Sequence, residues 1–249
     1  MHQKKARMHK AKSSKSGTHR PAANASHRTL ILWLSALLVV AIALSGWHPL
    51  LPADWYVEHI LVLAAAPVLW LLYRKLPLSV VSWVGIFLFL YIHELGAHFT
   101  YSKVPYDDWT QSWFGFSLNG YFGWERNHFD RLVHFTYGLL LAFPLKEIIA
   151  GWCRLRGFWP WFFALDLVLS SSCFYELLEW AAALVFSEEV GTAYLGTQGD
   201  VWDAHKDILL AVIGGFIALT IAIVIESRRR GRVFWQEWRE SLRVKPEKN

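Results

Sequence analysis

Along most of its length the chain bunches its apolar residues instead of alternating them with polar ones. Continuous apolar runs fall at about 29–47, 57–73, 78–98, 130–150, 158–186 and 205–226, separated by polar connections. An α-helix needs roughly 20 mostly apolar residues to cross a bilayer. The pattern therefore predicts an all-α, polytopic integral membrane protein, a bundle of six transmembrane helices over 29–226. A tail over 1–28 precedes it and another over 227–249 follows. Pro67 and Pro144 sit inside the second and fourth runs as candidate kinks, and the Gly214 and Gly215 pair in the sixth permits close helix contact. The fifth run is long enough to tilt or project. Ala43 and Ser45 have the small-residue spacing of a cleavage site, but the first run exceeds a usual signal-peptide core of roughly 7–15 residues, so it is expected to be retained.

Composition agrees with this reading and excludes others. Of 249 residues, 54% are hydrophobic and 18% charged, against about 25% charged in soluble domains, so a single-core soluble enzyme, a disordered chain and a disulfide scaffold drop out. The 25 Lys and Arg then orient the spans. Eight lie in the first 28 residues, at Arg74 and Lys75 there are two, three fall in 146–156, and eight follow Glu226, which puts 21 on one side. Both termini are thus predicted cytoplasmic, with the basic tails, the first of them disordered, facing an anionic inner leaflet. The net charge of +5 follows from orientation, and no nucleic-acid partner is expected. Trp33, Trp47, Trp55, Trp152, Trp159, Trp161 and Trp202 stand at span ends, as an aromatic belt requires. Cys153 and Cys173 are 20 residues apart, about 30 Å along a helix, so no disulfide joins them.

Ionisable groups in spans are costly, so their positions carry information. Glu94 and His98 share a helix face, with Tyr101 a turn further. His93 and His98 are five apart, about 140° round a helix, which excludes the two-histidine zinc-protease motif. The fourth span opens with Arg126, Asn127, Asp130, Arg131 and His134, and Asp130, His134 and Gly138 recur every four residues. Capping by Asn127 or Asp130 is the alternative account there. On the fifth, Ser172, Glu176, Glu179 and Ala183 share a side, and two acids on adjacent turns in a membrane call for a proton, an arginine or a metal between them. Asp166 lies deeper and has no evident role, while Glu147 beside Lys146 reads as an interface residue. Before the sixth span, Gly196 and Gly199, on either side of Thr197 and Gln198, permit a tight turn. Asp200, Asp203 and Asp207 are expected in phase on the helix that follows. All of these groups fall at the extracytoplasmic ends of spans three to six.

Several of these stretches together resemble the YjdF family of bacterial inner-membrane proteins, a domain of unknown function. They are Gly96 to Tyr101 with Val104 and Pro105; Trp113 to Phe116; Arg126 and Asn127 with Asp130, Arg131 and His134; Tyr175 and Glu176 with Glu179 and Trp180; and Leu195 to Asp200 with Trp202, Asp203 and Asp207. The resemblance covers about 40–225 and implies an inner-membrane location without a reaction. His93 and Glu94 lie outside that pattern and are discounted as site members. Spans five and six are also similar to VanZ-like membrane proteins through Glu176, Asp207 and Gly214, although Ala211 stands where those proteins carry Asn.

Three readings remain open. In the first, His98, Tyr101, Arg126, Asn127, Asp130, Arg131, His134, Glu176, Glu179, Gln198, Asp200, Asp203 and Asp207 bind or handle a polar or lipid-linked envelope molecule, the arginines holding an anionic head. In the second, His98, His134, Glu176, Glu179, Asp203 and Asp207 supply ligands to a divalent metal in a membrane-embedded hydrolase or transferase. In the third, the same groups form a structural network whose only partner is the lipid bilayer.

Overall fold

The structure, a computed structural model, describes residues 25–185 and 197–243. Residues 1–24 of the basic tail, 244–249, and Leu195 and Gly196 of the loop resemblance lie outside them. The described helices are α1 (Ala25–Ser45), α2 (Pro52–Lys75), α3 (Val80–His98), α4 (Tyr106–Phe114), α5 (Leu118–Phe122), α6 (Phe129–Trp152), α7 (Trp159–Val185), α8 (Asp203–Arg230) and α9 (Arg232–Ser241). Among them α1, α2, α3, α6, α7 and α8 are long and apolar enough to cross a membrane. Pro67 and Pro144 leave α2 and α6 continuous. Cys153 and Cys173 are both free thiols.

Helix α6 is the centre of the bundle, with α3, α7 and α8 packed around it, α1 against α3, and α2 at the edge. The tightest junction is α6 on α8. A Cβ on Gly138 would lie 1.8 Å from the Ala211 carbonyl oxygen, and one on Gly214 would lie 2.1 Å from that of Phe135. Only glycine lets the two backbones meet, as small-residue crossings in membranes require. Deeper along the same junction, Ala142, Ala164, Val168, Ala211 and Leu219 form one core cluster. A second joins α1, α2 and α3 through Ile31, Leu72, Trp83, Ile86 and Phe87.

Glu147 accepts hydrogen bonds from the Ser79 N–H at 2.9 Å and the Ser82 hydroxyl at 2.6 Å, so it ties the start of α3 to α6 as an interface residue should. Asp166 is exposed on the outside of α7. Trp33, Trp47, Trp152, Trp159 and Trp202 are exposed as a belt demands, but two of the expected belt residues turn inward. Trp55 donates to the Ser45 hydroxyl at 3.1 Å, and Trp161, 5% exposed, packs under Phe234 and Trp238. Those two rings belong to α9, an amphipathic helix within the expected C-terminal tail. Its Ser241 hydroxyl accepts from the Phe158 N–H and its Ser241 carbonyl from the Trp159 indole, which docks it on the start of α7.

Candidate functional site

All six long helices have one end at the same side of the bundle: the C-termini of α1, α3 and α7 and the N-termini of α2, α6 and α8. This loop end is opposite Arg74 and Lys75 of α2 and Arg228, Arg229 and Arg230 of α8. Its rim is built by the segments before α6 and α8. Asn127 accepts from the Phe129 N–H at 3.0 Å just before the α6 N-cap position at His128, and its amide donates to the Val104 carbonyl at 2.8 Å. Gln198 pairs with the backbone of Asn127 in both directions, accepting from its N–H at 2.9 Å and donating to its carbonyl at 3.0 Å. Arg126 forms a forked pair with Asp203, one arm at 3.2 Å, and also donates to the Thr197 carbonyl at 2.9 Å. Arg131 binds Asp200 and reaches Asp203 at 3.2 Å.

Asp200 is not in phase with Asp203 and Asp207 on α8, as the sequence suggested. The 197–200 turn, closed by an Asp200 N–H bond to the Thr197 carbonyl with Gly199 at φ +87°, leaves it outside the helix, which starts at Asp203. There Lys206 donates to it at 2.5 Å. That bond, with the Trp202 N–H and Arg131, holds its carboxyl well below the usual carboxylate range.

Beneath the rim the groups are more deeply buried. Asp130, 7% exposed, turns inward and leaves the Phe129 N–H to Asn127. His134 Nε2 stands 3.8 Å from Asp130 and 3.4 Å from Glu176, and Asp207 closes the group: one ligand atom each from Asp130, His134 and Asp207 lie within 4.8 Å of one another. Glu179, 5% exposed, lies within Coulombic range of Asp130, Glu176, Glu58 and Asp207. The α6–α8 crossing explains this gathering, because Asp130 and His134 precede Gly138 at four-residue steps and Asp207 precedes Ala211 and Gly214 on the facing stripe. Ala211, where the VanZ-like pattern carries Asn, is fully buried, with its carbonyl against Gly138.

A second buried network lies across from the first. Tyr101, in left-handed backbone at φ 47°, folds back over Gly96, where a Cβ would lie 2.8 Å from its ring, and its hydroxyl is hydrogen-bonded to His93 Nδ1 at 2.5 Å. Glu94 accepts from the Ser45 hydroxyl at 2.5 Å and pairs with His59 at 3.2 Å. Glu58 is bridged by the Tyr175 hydroxyl at 3.4 Å, and Asp54 is 1% exposed. His93 and Glu94, set aside on the sequence, are therefore buried members of this end of the bundle. Asp54, Glu58 and His59 are additions: Asp54 lies before the apolar run at 57–73, and Glu58 and His59 stand at its very start, where polar residues read as the edge of a span. The i, i+4 spacing of Asp54 and Glu58 was the available signal. His98 points away from His134 and bonds the Ser45 carbonyl at 2.8 Å.

Between the two networks lies a cavity of about 300 Å³. Leu61, Val62 and Ala65 of α2, Phe89 and Leu90 of α3, Val133 and Tyr137 of α6, and Phe174 and Leu178 of α7 form its apolar walls. His93, Tyr101, Asp130, His134, Ser171, Ser172 and Tyr175 supply its polar groups. Helix α2 explains the space: its buried residues are Asp54, Glu58, His59 and Leu72, so it holds to the bundle near both ends and stands off between them.

The comparisons with known proteins fit this architecture. Residues 30–228 match the family described as "Predicted membrane protein (DUF2238)". The chain is 34% identical over 200 residues to "Inner membrane protein YjdF" of Escherichia coli (strain K12), covering 80% of this chain and 90% of that one. No solved structure matches. With six spanning helices and a match over most of its length, the chain is a multi-pass inner-membrane protein and belongs to the DUF2238 family.

Proposed function

We propose that the protein binds an amphiphile from the bilayer, a polar or lipid-linked envelope molecule, with its chain in the cavity and its head at the buried polar groups. The observation that carries this reading is the cavity itself, apolar along four helices and polar where Asp130, His134, His93 and Tyr101 meet. Ligand sites of this size, apolar with a few convergent polar groups, are the usual form of small-molecule pockets. Leu61 and Ala65 lie roughly 13–20 Å along α2 from its start, so the cavity extends toward mid-bilayer depth. Phe174 lines it while 60% exposed, which supports entry sideways from the lipid. The loop end is assigned to the extracytoplasmic face by the distribution of basic residues.

The rim supports a different role. Arg126 and Arg131 are held by Asp200 and Asp203, an arrangement suited to a clamp between α6 and α8 more than to an anion receptor. The structural reading therefore applies to the rim, and the binding reading to the cavity below it.

Photolabelling of the purified protein in nanodiscs with a long-chain alkyl phosphate carrying a diazirine in its chain tests the proposal. Labelling is expected on α2 and α7 and is expected to fall at least fivefold in Ala65→Trp, which fills the cavity. Equal labelling of a folded Ala65→Trp variant would overturn the reading.

A further inference from the structure

Five carboxylates, those of Glu58, Asp130, Glu176, Glu179 and Asp207, gather below the rim, where the side-chain cation is the adjustable imidazole of His134. Arg126 and Arg131 sit above them on Asp200 and Asp203. An acidic cluster alone can be met by protons or by water. Here a second observation points to a ligand. Asp207 is 2% exposed, its Oδ1 has no hydrogen-bond partner, and it shares with Asp130 and His134 a set of donor atoms within 4.8 Å. Glu176 Oε1 is likewise buried without a hydrogen bond and faces His134 Nε2 at 3.4 Å. An unpaired buried carboxylate oxygen costs several kcal/mol, and His134 Nε2, which Asp130 Oδ1 and Glu176 Oε1 both approach, cannot satisfy both.

We infer that Asp130, His134 and Asp207, with Glu176 as the fourth donor, form a binding site for a divalent transition-metal ion. One nitrogen and three oxygens suit zinc or manganese better than calcium or magnesium. Metal–ligand bonds of about 2.0–2.1 Å imply donor separations of roughly 3.3 Å in a tetrahedral shell, and the His134 to Glu176 spacing already matches that edge. The donors come from α6, α7 and α8, so the ion would join the three helices below the Arg131–Asp203 clamp that already ties α6 to α8. Asp130 and His134 line the cavity while Asp207 stands behind them, so metal has a route in. A corollary rests on the amphiphile reading: the coordination position on the cavity side would take an oxygen of the head, polarising a phosphate or carbonyl group.

The test needs no amphiphile, so its failure and that of the binding proposal are separate. The full-length protein, stripped with EDTA in detergent, is titrated with Zn²⁺ and with Mn²⁺, and bound metal is counted by mass spectrometry after dialysis. One ion per chain is expected, with affinity reduced at least tenfold in Asp207→Asn and in His134→Ala and unchanged in Asp200→Asn. A wild-type protein that holds no stoichiometric ion, or folded variants that bind as wild type does, would overturn the site. Should both variants fail to fold, anomalous scattering from metal-loaded wild-type crystals decides: density between Asp130, His134 and Asp207 supports the site, and density elsewhere overturns it.

Discussion

Asp200 shows how one residue's setting controls its response to acid. Its carboxyl is kept below the ordinary value of 3.8 by the Lys206 ammonium, the Trp202 N–H and the Arg131 guanidinium. A folded-state value depressed in this way contributes stability that is complete above the unfolded pKa and lost only as pH falls toward the folded one. The melting-temperature difference between wild type and Asp200→Asn is therefore expected to stay flat from pH 8 to about pH 4 and to close only below that. A difference that shrinks near pH 6 would show that another group governs the clamp. Tyr175→Phe probes the opposite wall: it removes the hydroxyl that links α7 to Glu58, and faster hydrogen exchange in the first turns of α2 is expected, with α6 and α8 unchanged.

At the scale of elements, the α6–α8 junction and the α4–α5 segment make opposite demands. Gly138→Val places side-chain atoms where the Ala211 carbonyl already is, so the helices must separate. The loss should reach or exceed the about 1–3 kcal/mol usual for overpacking, seen as a lower melting temperature or loss of a monodisperse peak in size exclusion. Helices α4 and α5 instead present rings outward, with Trp113 71%, Phe114 69% and Tyr121 78% exposed at the loop end. Aromatic rings of this kind favour the headgroup layer. Brominated lipids are expected to quench Trp113 fluorescence more strongly when the bromine is near the headgroup than at the chain terminus. These elements show what hydropathy can and cannot read. The six spans were legible because lipid imposes long apolar runs, and Gly138 and Gly214 because they fall in phase with the acids. α4 and α5 were not, since the connection before α6 carries no long apolar run. α9 was hidden by charge: Arg232, Glu237, Arg239 and Glu240 break up its apolar residues, so the Phe234 and Trp238 that dock it are only a stripe.

For the molecule as a whole, orientation and location of the site are linked. With 21 of 25 basic residues on one side, a fluorescent reporter fused to either terminus should fold in the cytoplasm, and alkaline phosphatase inserted between α4 and α5 should be active. The reverse pattern would place the rim inside the cell. The candidate site was half legible: Asp130, His134, Glu176, Glu179 and Asp207 could be collected by helical phase, because polar groups inside an apolar span stand out even near its end. The second wall could not, since Asp54 falls in the polar connection and Glu58 and His59 at the edge of the run at 57–73, and they become buried only when α2 leans on the bundle. Nor could phase tell that Arg126 and Arg131 would bind acids of the rim, because that depends on where the 197–200 turn folds.

The glycine contact between α6 and α8 has one more consequence. Gly138 lies one helical turn from His134 and two from Asp130, and Gly214 two turns from Asp207, so the contact acts as a ruler that sets how far apart the acids of the two helices stand. Any influence that pries the helices apart, whether bilayer thickness or a bulkier residue, would be felt at the cluster as weaker repulsion among its charges and a looser grip on any cation. Lateral pressure in the membrane would then tune the chemistry of the cavity floor.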